Sequence, residues 1–319
     1  MRGNTYHDNE YITCLKNFIY EKYFIKAIDI SPAERGYYGE TWKLKAKNGL
    51  YFIKLDYVTR HQTLFQNSLT VIDYLYNNGV DFINKIIKTQ NGKLYSIFNS
   101  AILCVFEWIQ GQNIETDDTK IFEYQMLCQI YSLTKEGFNI PRIEFSDSIA
   151  NKFYKKREKL KNASPNEQIQ EINSIFENHS SLLSHCALQL SKISVICDKN
   201  KPNFYITHGD AGGNFFVGNN KNYIIDWDEV MYAPIERDAW VMCCHDWATK
   251  LFNKTLKQNN INYTILPERL AFFCYYMFFH YICEFIDDFP DYVSSKRIND
   301  FLSDNWIKER INFADKILL

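Results

Sequence analysis

A chain of 319 residues, 46% of them hydrophobic, can bury a large core as one domain or two lobes, which excludes a disordered polymer. Its 36 basic and 38 acidic side chains leave a net charge of −2, so neither nucleic acid nor an anionic membrane is favoured as a general partner. The nine scattered cysteines, odd in number and without a C-x-x-C pair, argue against a disulfide framework or a zinc site and fit reduced thiols in the cytoplasm.

The opening from Met1 to Glu10 is polar and lacks the apolar run of a secretory signal. Residues 11–28 carry Ile12, Leu15, Phe18 and Ile19 at the spacing of one helix face. Residues 36–58 alternate in the manner of strands. Lys54 stands inside Tyr51-Phe52-Ile53-Lys54-Leu55, a half-buried strand pattern. Leu64, Ser68, Val71, Ile72 and Leu75 predict a helix over 61–77, closed by Asn77-Asn78-Gly79. Two strands follow, at 94–99 and 102–109, and Gly111 ends the second.

Helical patterns then dominate over 117–134, 146–161 and 165–196, and again from about 238. Asn162-Ala163-Ser164-Pro165-Asn166 is a break between helices. The aromatic run 270–286 is interrupted by His280 and Glu284 and is too short to span a membrane, so it predicts a buried helix. Strands first and helices later indicate an α+β molecule of two segregated lobes.

The most specific pattern interrupts the helices. His208-Gly209-Asp210-Ala211-Gly212-Gly213-Asn214 is followed by two apolar runs, Phe215-Phe216-Val217 and Tyr223-Ile224-Ile225, around a turn from Gly218 to Asn222. This reads as a β-hairpin that returns Asn214 and Asp226 to neighbouring positions. His-Gly-Asp alone would be weak, because Asp, Gly and Asn are common in turns. Acids and an amide at both open ends of a hairpin are instead a phosphoryl-transfer arrangement. One acid accepts the proton of an attacking hydroxyl, while the Asn and the later acid hold metal that neutralises phosphate. Asp210 is therefore the candidate base. Asn214 and Asp226 are the candidate ligands of Mg2+, a hard cation that prefers oxygen. His208 is expected to pack under the loop and bond backbone, and Trp227 and Trp240 to be core aromatics.

At these residues the chain resembles the aminoglycoside phosphotransferase and choline kinase family, and within it the spectinomycin phosphotransferases. Tyr51 to Leu55, Tyr223 to Glu229 and Ala233-Pro234-Ile235-Glu236-Arg237-Asp238 carry the resemblance, which covers about residues 30 to 300. It implies a bilobal protein-kinase-like fold: a small antiparallel-sheet lobe over 1–108 that binds nucleotide, and a mostly helical lobe over 109–319 for catalysis and substrate. ATP or GTP would be the phosphate donor. Lys54 would hold the α- and β-phosphates, where the strand pattern alone equally allows a lysine whose stem covers apolar surface and whose tip reaches water. The loop from Ser31 to Glu40, with Gly36 and Gly39, would cover the phosphates without a full G-x-G-x-x-G. Adenine would meet the backbone near Glu107, Trp108 and Ile109.

Two departures stand out. Kinases usually hold the lysine with a Glu from the following helix. Residues 61–78 contain no Glu. Gln66 is nearest the expected place and offers a hydrogen bond without a charge. The family also places four residues between the catalytic Asp and the Asn, whereas only Ala211, Gly212 and Gly213 stand here, with glycines that allow a tighter backbone path.

For the acceptor, Asp228, Glu229, Glu236, Asp238 and Asp246 form one acidic group, and Glu284, Asp287, Asp288 and Asp291 another. Such a lining would attract a small hydroxylated cation such as an aminoglycoside or aminocyclitol. Asp228 either supports the metal or faces substrate. The structural alternative makes Glu236-Arg237-Asp238 an ion pair and helix start and leaves the later acids solvated. Three functions fit. The first is phosphate transfer to an aminoglycoside-like antibiotic. The second is a kinase of choline, a sugar or another metabolite, with aromatic residues suited to a quaternary ammonium. The third is nucleotide binding without catalysis, suggested by the missing Glu and opposed by the intact Asp210, Asn214 and Asp226. A protein kinase is disfavoured, because Ala233-Pro234 follows Asp226 too closely for an activation segment.

Overall fold

Helix α1 (Asn9–Tyr23) starts where the Asp8 carboxylate accepts the Tyr11 N–H and stops where Phe24 turns left-handed at φ 56°. That stop makes the helix shorter than the 11–28 periodicity predicts and frees Ala27–Pro32 to form β1. The computed structural model describes residues 8–33, 38–164, 166–287 and 295–318.

Strands β2 (Gly39–Ala46) and β3 (Gly49–Asp56) form a tight antiparallel pair with Lys54 opposite Thr41. Helix α2 (Thr59–Asn77) follows, then β4 (Ile86–Ile87), β5 (Ser96–Phe98) and β6 (Ala101–Glu107). The sheet order is β1-β2-β3-β6-β4, and β5 also pairs with β6. All these pairings are antiparallel. Leu15 and Ile19 of α1 pack with Trp42, Leu44, Ile53, Leu55, Leu103 and Val105 in one core. The central position of β3 explains the buried Lys54: both neighbours of the strand are occupied, and only the side-chain tip can seek a partner.

Gly111 does not end a strand but opens one. Strand β7 (Gly111–Asn113) leads to α3 (Lys120–Ser132). The helices α4 (Ser148–Lys161), α5 (Glu167–Asn178) and α6 (Ser180–Lys199) come next. The 165–196 pattern is thus two helices, broken at His179, and the predicted break at 162–166 ends with Asn166 capping α5 through the Ile169 N–H at 2.8 Å. Four short strands follow: β8 (Tyr205–Thr207), β9 (Phe215–Gly218), β10 (Asn222–Ile224) and β11 (Met231–Ala233). The chain closes with α7 (Glu236–Ala239), α8 (Asp246–Gln258), α9 (Pro267–Asp287), α10 (Ser295–Ser303) and α11 (Asn305–Leu318). The result is an α+β molecule with an antiparallel-sheet N-terminal region and a mostly helical remainder.

The chain divides into two compact units. One takes the described residues within 2–142 and 205–232, and so joins the sheet to the β7, β9 and β10 strands. The other takes those within 143–204 and 233–319 and is helical. Its centre is the buried α9, packed against α4, α6 and α11. No helix among the described residues is long and apolar enough to cross a membrane. All nine cysteines are free of disulfides.

Candidate active site

The hairpin forms as the apolar runs require. Phe215 and Ile224, both fully buried, are register partners across β9 and β10, and β7 adds a third strand beside β9. At the open end the Ile225 N–H donates to the Asn214 carbonyl at 3.1 Å, so Asn214 and Asp226 flank one backbone bond. The Asn214 amide nitrogen donates to the Asp210 carbonyl at 2.9 Å and to its carboxylate at 3.1 Å. This orients the amide and leaves its oxygen as a donor atom for a cation.

His208 ties the two ends together from beneath. Its Nδ1 accepts the Asp210 N–H at 3.2 Å, and its Nε2 donates to the Ile225 carbonyl at 2.9 Å. It is buried edge-on to Trp227, as a backbone-organising residue should be. Trp227 and Trp240 are core residues.

The shortened loop needs its glycines for room. Among the loop glycines only Gly209 is left-handed, at φ 91°. A Cβ on Gly213 would lie 2.9 Å from the Asp210 carboxylate, and one on Gly212 would lie 2.7 Å from Lys120 Nζ. The tighter path thus comes from absent side chains rather than from glycine's freedom in φ at 212 and 213. Asn113 of β7 also donates its side-chain amide to the Gly213 carbonyl. Lys120, a residue that the sequence reading passed over, is buried against this loop and bonds Glu115 and Glu123, each at 2.8 Å. Burial would lower its pKa, but Glu123 and Glu115 outweigh that and raise it, so the ammonium stays charged. The only signal in the chain was Glu115, Lys120 and Glu123 at the start of a helix.

Lys54 reaches the same acids. Its Nζ stands 2.7 Å from Asp226 Oδ1 and 2.5 Å from Asp228 Oδ2. Burial opposes the lysine's charge, yet the two carboxylates overcome it and raise the pKa above the usual lysine range. Burial pushes Asp228 up to about 6 against the pull of Lys54, with the charge of Asp226 adding to the rise. Asp226 keeps 51% of its side chain exposed. Burial would raise its pKa too, but the Lys54 ammonium dominates and holds it below the ordinary carboxylate range. Asp226 also sits at φ 61°, a left-handed conformation that costs on the order of 1 kcal/mol and that Asp tolerates better than most residues.

Gln66 is not the lysine's partner. The buried residues of α2 are His61, Phe65, Ser68, Leu69, Val71, Ile72 and Leu75; Gln66 is half-buried, and Lys54 bonds Asp226 and Asp228 instead. Phe65 instead faces the lysine, with Nζ 5.4 Å from the ring centre. A buried ammonium needs charge, and the two aspartates supply what a neutral amide does not.

The backbone at the end of β6 is partly committed. The Glu107 N–H donates to Lys85 and the Trp108 N–H to Leu50, at 3.0 and 3.1 Å, while the Glu107 carboxylate pairs with Lys85 Nζ at 2.8 Å. The Ile109 N–H has no hydrogen-bond partner among the described residues. In the expected phosphate-covering loop, Gly36 lies outside the described residues. Gly39 is required where β2 passes β3, since a Cβ there would fall 1.8 Å from the Leu55 carbonyl oxygen.

The acidic groups expected to face substrate divide. Asp228 is buried on Lys54 rather than turned to an acceptor. Glu236 is fully buried in the helical unit, and its carboxylate accepts from Tyr263, the Leu266 N–H and Arg269 at 2.5, 2.8 and 2.9 Å. That is a structural hub, because a buried carboxylate must be paired. Its ion partner is Arg269, not Arg237. Asp238 is buried as well, Glu229 is half-buried and Asp246 is exposed at the start of α8. Asp287 pairs with Lys156, and Asp288 and Asp291 lie outside the described residues.

Among the described residues no three His, Cys, Asp or Glu side chains converge on a metal position. Asn214 and Asp226 offer two oxygen ligands, which fits Mg2+ when phosphate oxygens and water complete its shell.

A family model described as the phosphotransferase enzyme family matches residues 29–273. No curated protein matches the chain in sequence. Among solved structures, spectinomycin phosphotransferase APH(9)-Ia in complex with ADP and spectinomycin is similar over 95% of this chain and 97% of that one, with a TM-score of 0.70 at 19% identity. Amicoumacin kinase hAmiN in complex with AMP-PNP, Ca2+ and Ami is similar over 97% of this chain and 94% of that one, at 0.59 and 12%. Choline kinase LicA from Streptococcus pneumoniae is similar over 97% of this chain and 100% of that one, at 0.57 and 14%. At these identities the likeness is one of fold.

Proposed function

The chain belongs to the phosphotransferase enzyme family, and from that membership we propose that it transfers the γ-phosphoryl group of ATP or GTP to a hydroxyl of a small cationic molecule of the aminoglycoside or aminocyclitol class. One observation carries the reading: Asp210, Asn214 and Asp226 stand around a single backbone bond, and Lys54 is bonded to the last of them.

Asp210 is exposed and oriented by Asn214, as a group that receives an acceptor hydroxyl must be. It aligns that hydroxyl and takes its proton. Asn214 and Asp226 would hold Mg2+, which neutralises charge on the phosphates when bound. Lys54 exchanges a carboxylate partner for the nucleotide's phosphates, so its ion pairs keep the ammonium charged and in place until nucleotide arrives. The Ile109 N–H, without a partner among the described residues, is the donor for the nucleotide's purine ring. Free thiols throughout support a reducing compartment such as the cytoplasm.

The burial of Glu236 and Asp238 thins the acidic lining and supports a second reading, in which the acceptor is choline, a sugar or another small metabolite. The test is transfer of labelled γ-phosphate from ATP and GTP, with Mg2+, to a panel of spectinomycin, aminoglycosides, choline and simple sugars. Labelled product from an aminocyclitol or aminoglycoside is expected. Product from choline or a sugar alone would establish the second reading. Tight nucleotide binding with no product from any acceptor would indicate a binding protein.

A further inference from the structure

We propose that His61 is a second phosphate contact beside Lys54, donating its Nε2–H to an α- or β-phosphate oxygen of the nucleotide; this deepens, and rests on, the nucleotide-binding reading above. Lys54 and Asp56 are two apart on β3, so their side chains leave the same face of the sheet. His61 in the first turn of α2 meets that face: its Nδ1 stands 2.5 Å from Asp56 Oδ2. Asp56 is fully buried and is fixed in turn by the Val58 N–H at 2.8 Å. A carboxylate acceptor places a proton on Nδ1 and fixes the ring's orientation.

The other nitrogen is the telling one. The His61 side chain is only 4% exposed, and Nε2 is buried without a hydrogen-bond partner among the described residues. Buried polar atoms are nearly always satisfied, so an orphan beside a candidate site marks a missing partner. The ring is held flat between Tyr38, stacked at 3.7 Å, and Phe65 at 6.3 Å, the same Phe65 that faces Lys54 Nζ. The occupant that fits is anionic and brings oxygen acceptors. A phosphate oxygen would accept from Nε2–H while the Asp56 carboxylate accepts from Nδ1–H. The helix that lacks a Glu for Lys54 thus contributes a hydrogen-bond donor to the phosphates rather than an acid to the lysine.

The test is calorimetry of ADP or GDP, whichever binds, against the corresponding nucleoside. His61→Asn keeps a group at the Nδ1 position and removes Nε2, while His61→Gln keeps a donor near Nε2. We expect His61→Asn to weaken the diphosphate about tenfold or more, the effect of losing one charge-assisted hydrogen bond. Nucleoside affinity should stay within about twofold, and His61→Gln should recover part of the loss. Equal losses for diphosphate and nucleoside, or no loss, would overturn the assignment. Should the variants fail to fold, the 15N shift of His61 Nε2 in the unmodified protein decides: it should move with the diphosphate and not with the nucleoside. Absence of diphosphate binding by the unmodified protein would defeat the nucleotide reading itself, whereas normal binding by His61→Asn would defeat only the role of His61.

Discussion

Asp226-Trp227-Asp228 and Glu236-Arg237-Asp238 are similar acidic segments in sequence, yet they solve burial in opposite ways. Glu236 has a full set of donors from its own helical unit, with an amide, a phenol and a guanidinium on its two oxygens. Asp226 has one side-chain partner among the described residues, the Lys54 ammonium, keeps half its side chain exposed and sits in a left-handed conformation. The first pattern is that of a fully satisfied structural acid. The second is that of a half-exposed acid paired with a buried lysine, which fits the proposed role of Asp226 as a metal ligand. Acidic composition does not separate the two; hydrogen-bond satisfaction does.

Removing each acid in turn separates the two roles most strongly. Asp226→Ala should abolish metal-dependent phosphate transfer, because a bridging cation loses a charged ligand, while thermal unfolding shifts little. Glu236→Ala should do the reverse, with a loss of about 3–5 kcal/mol of stability in denaturant titration, since Arg269 is left buried and unpaired. Near-normal transfer by Asp226→Ala would place the metal elsewhere, and an undisturbed Glu236→Ala fold would remove the hub.

The catalytic loop offers a finer cut. Gly213→Ala puts a Cβ against the Asp210 carboxylate, and Gly212→Ala puts one against the flexible tip of Lys120. The rate of transfer should fall about tenfold or more for Gly213→Ala and less for Gly212→Ala, as expected when a reacting group is misplaced. Steady-state kinetics check the order, and equal rates would mean that the loop absorbs the change without moving Asp210.

How much of this was legible in the chain follows from distance in sequence. The hairpin is local: two apolar runs around Gly218 to Asn222 specify it, and with it the approach of Asn214 to Asp226. The buried α9 is equally local, an apolar run of helical length. The strands β1, β4, β7, β8 and β11 were missed because most are two or three residues long and exist only through distant partners, as when Gly111 pairs with Gly218. The break at His179 carries neither Gly nor Pro. In the site, Lys54 and its two aspartates lie far apart along the chain, so spacing gave the lysine but not its partners. Gln66 was the nearest polar residue to an expected slot, but the lysine's charge is met by acids distant in sequence. His61 gave no signal in the sequence, and only the fold reveals Asp56 at Nδ1 and no described partner at Nε2.

The smallest expected effect concerns pH. Asp228 titrates near 6 in the fold, against about 3.9 in an unfolded chain. Between those values the folded state binds the extra proton, so stability falls as pH rises through the window and levels above about 6. With EDTA present, the unmodified protein and Asp228→Asn should be about equally stable near pH 4. Above pH 6 the unmodified protein should be the less favoured by about 3 kcal/mol relative to that starting point. Melting temperatures of the two proteins across pH 4 to 7.5 measure it, and parallel curves would show that Asp228 is ionised in the fold throughout.

In the proposed reaction Asp210 acts on the acceptor hydroxyl and not on the nucleotide. Asp210→Asn is nearly isosteric, so the most direct measurement is single-turnover phosphate transfer by this variant with the best acceptor of the panel, alongside nucleotide affinity by calorimetry. A fall in rate of about 10²–10⁴ with nucleotide affinity within a few-fold is the predicted result. Transfer at the unmodified rate would contradict the account.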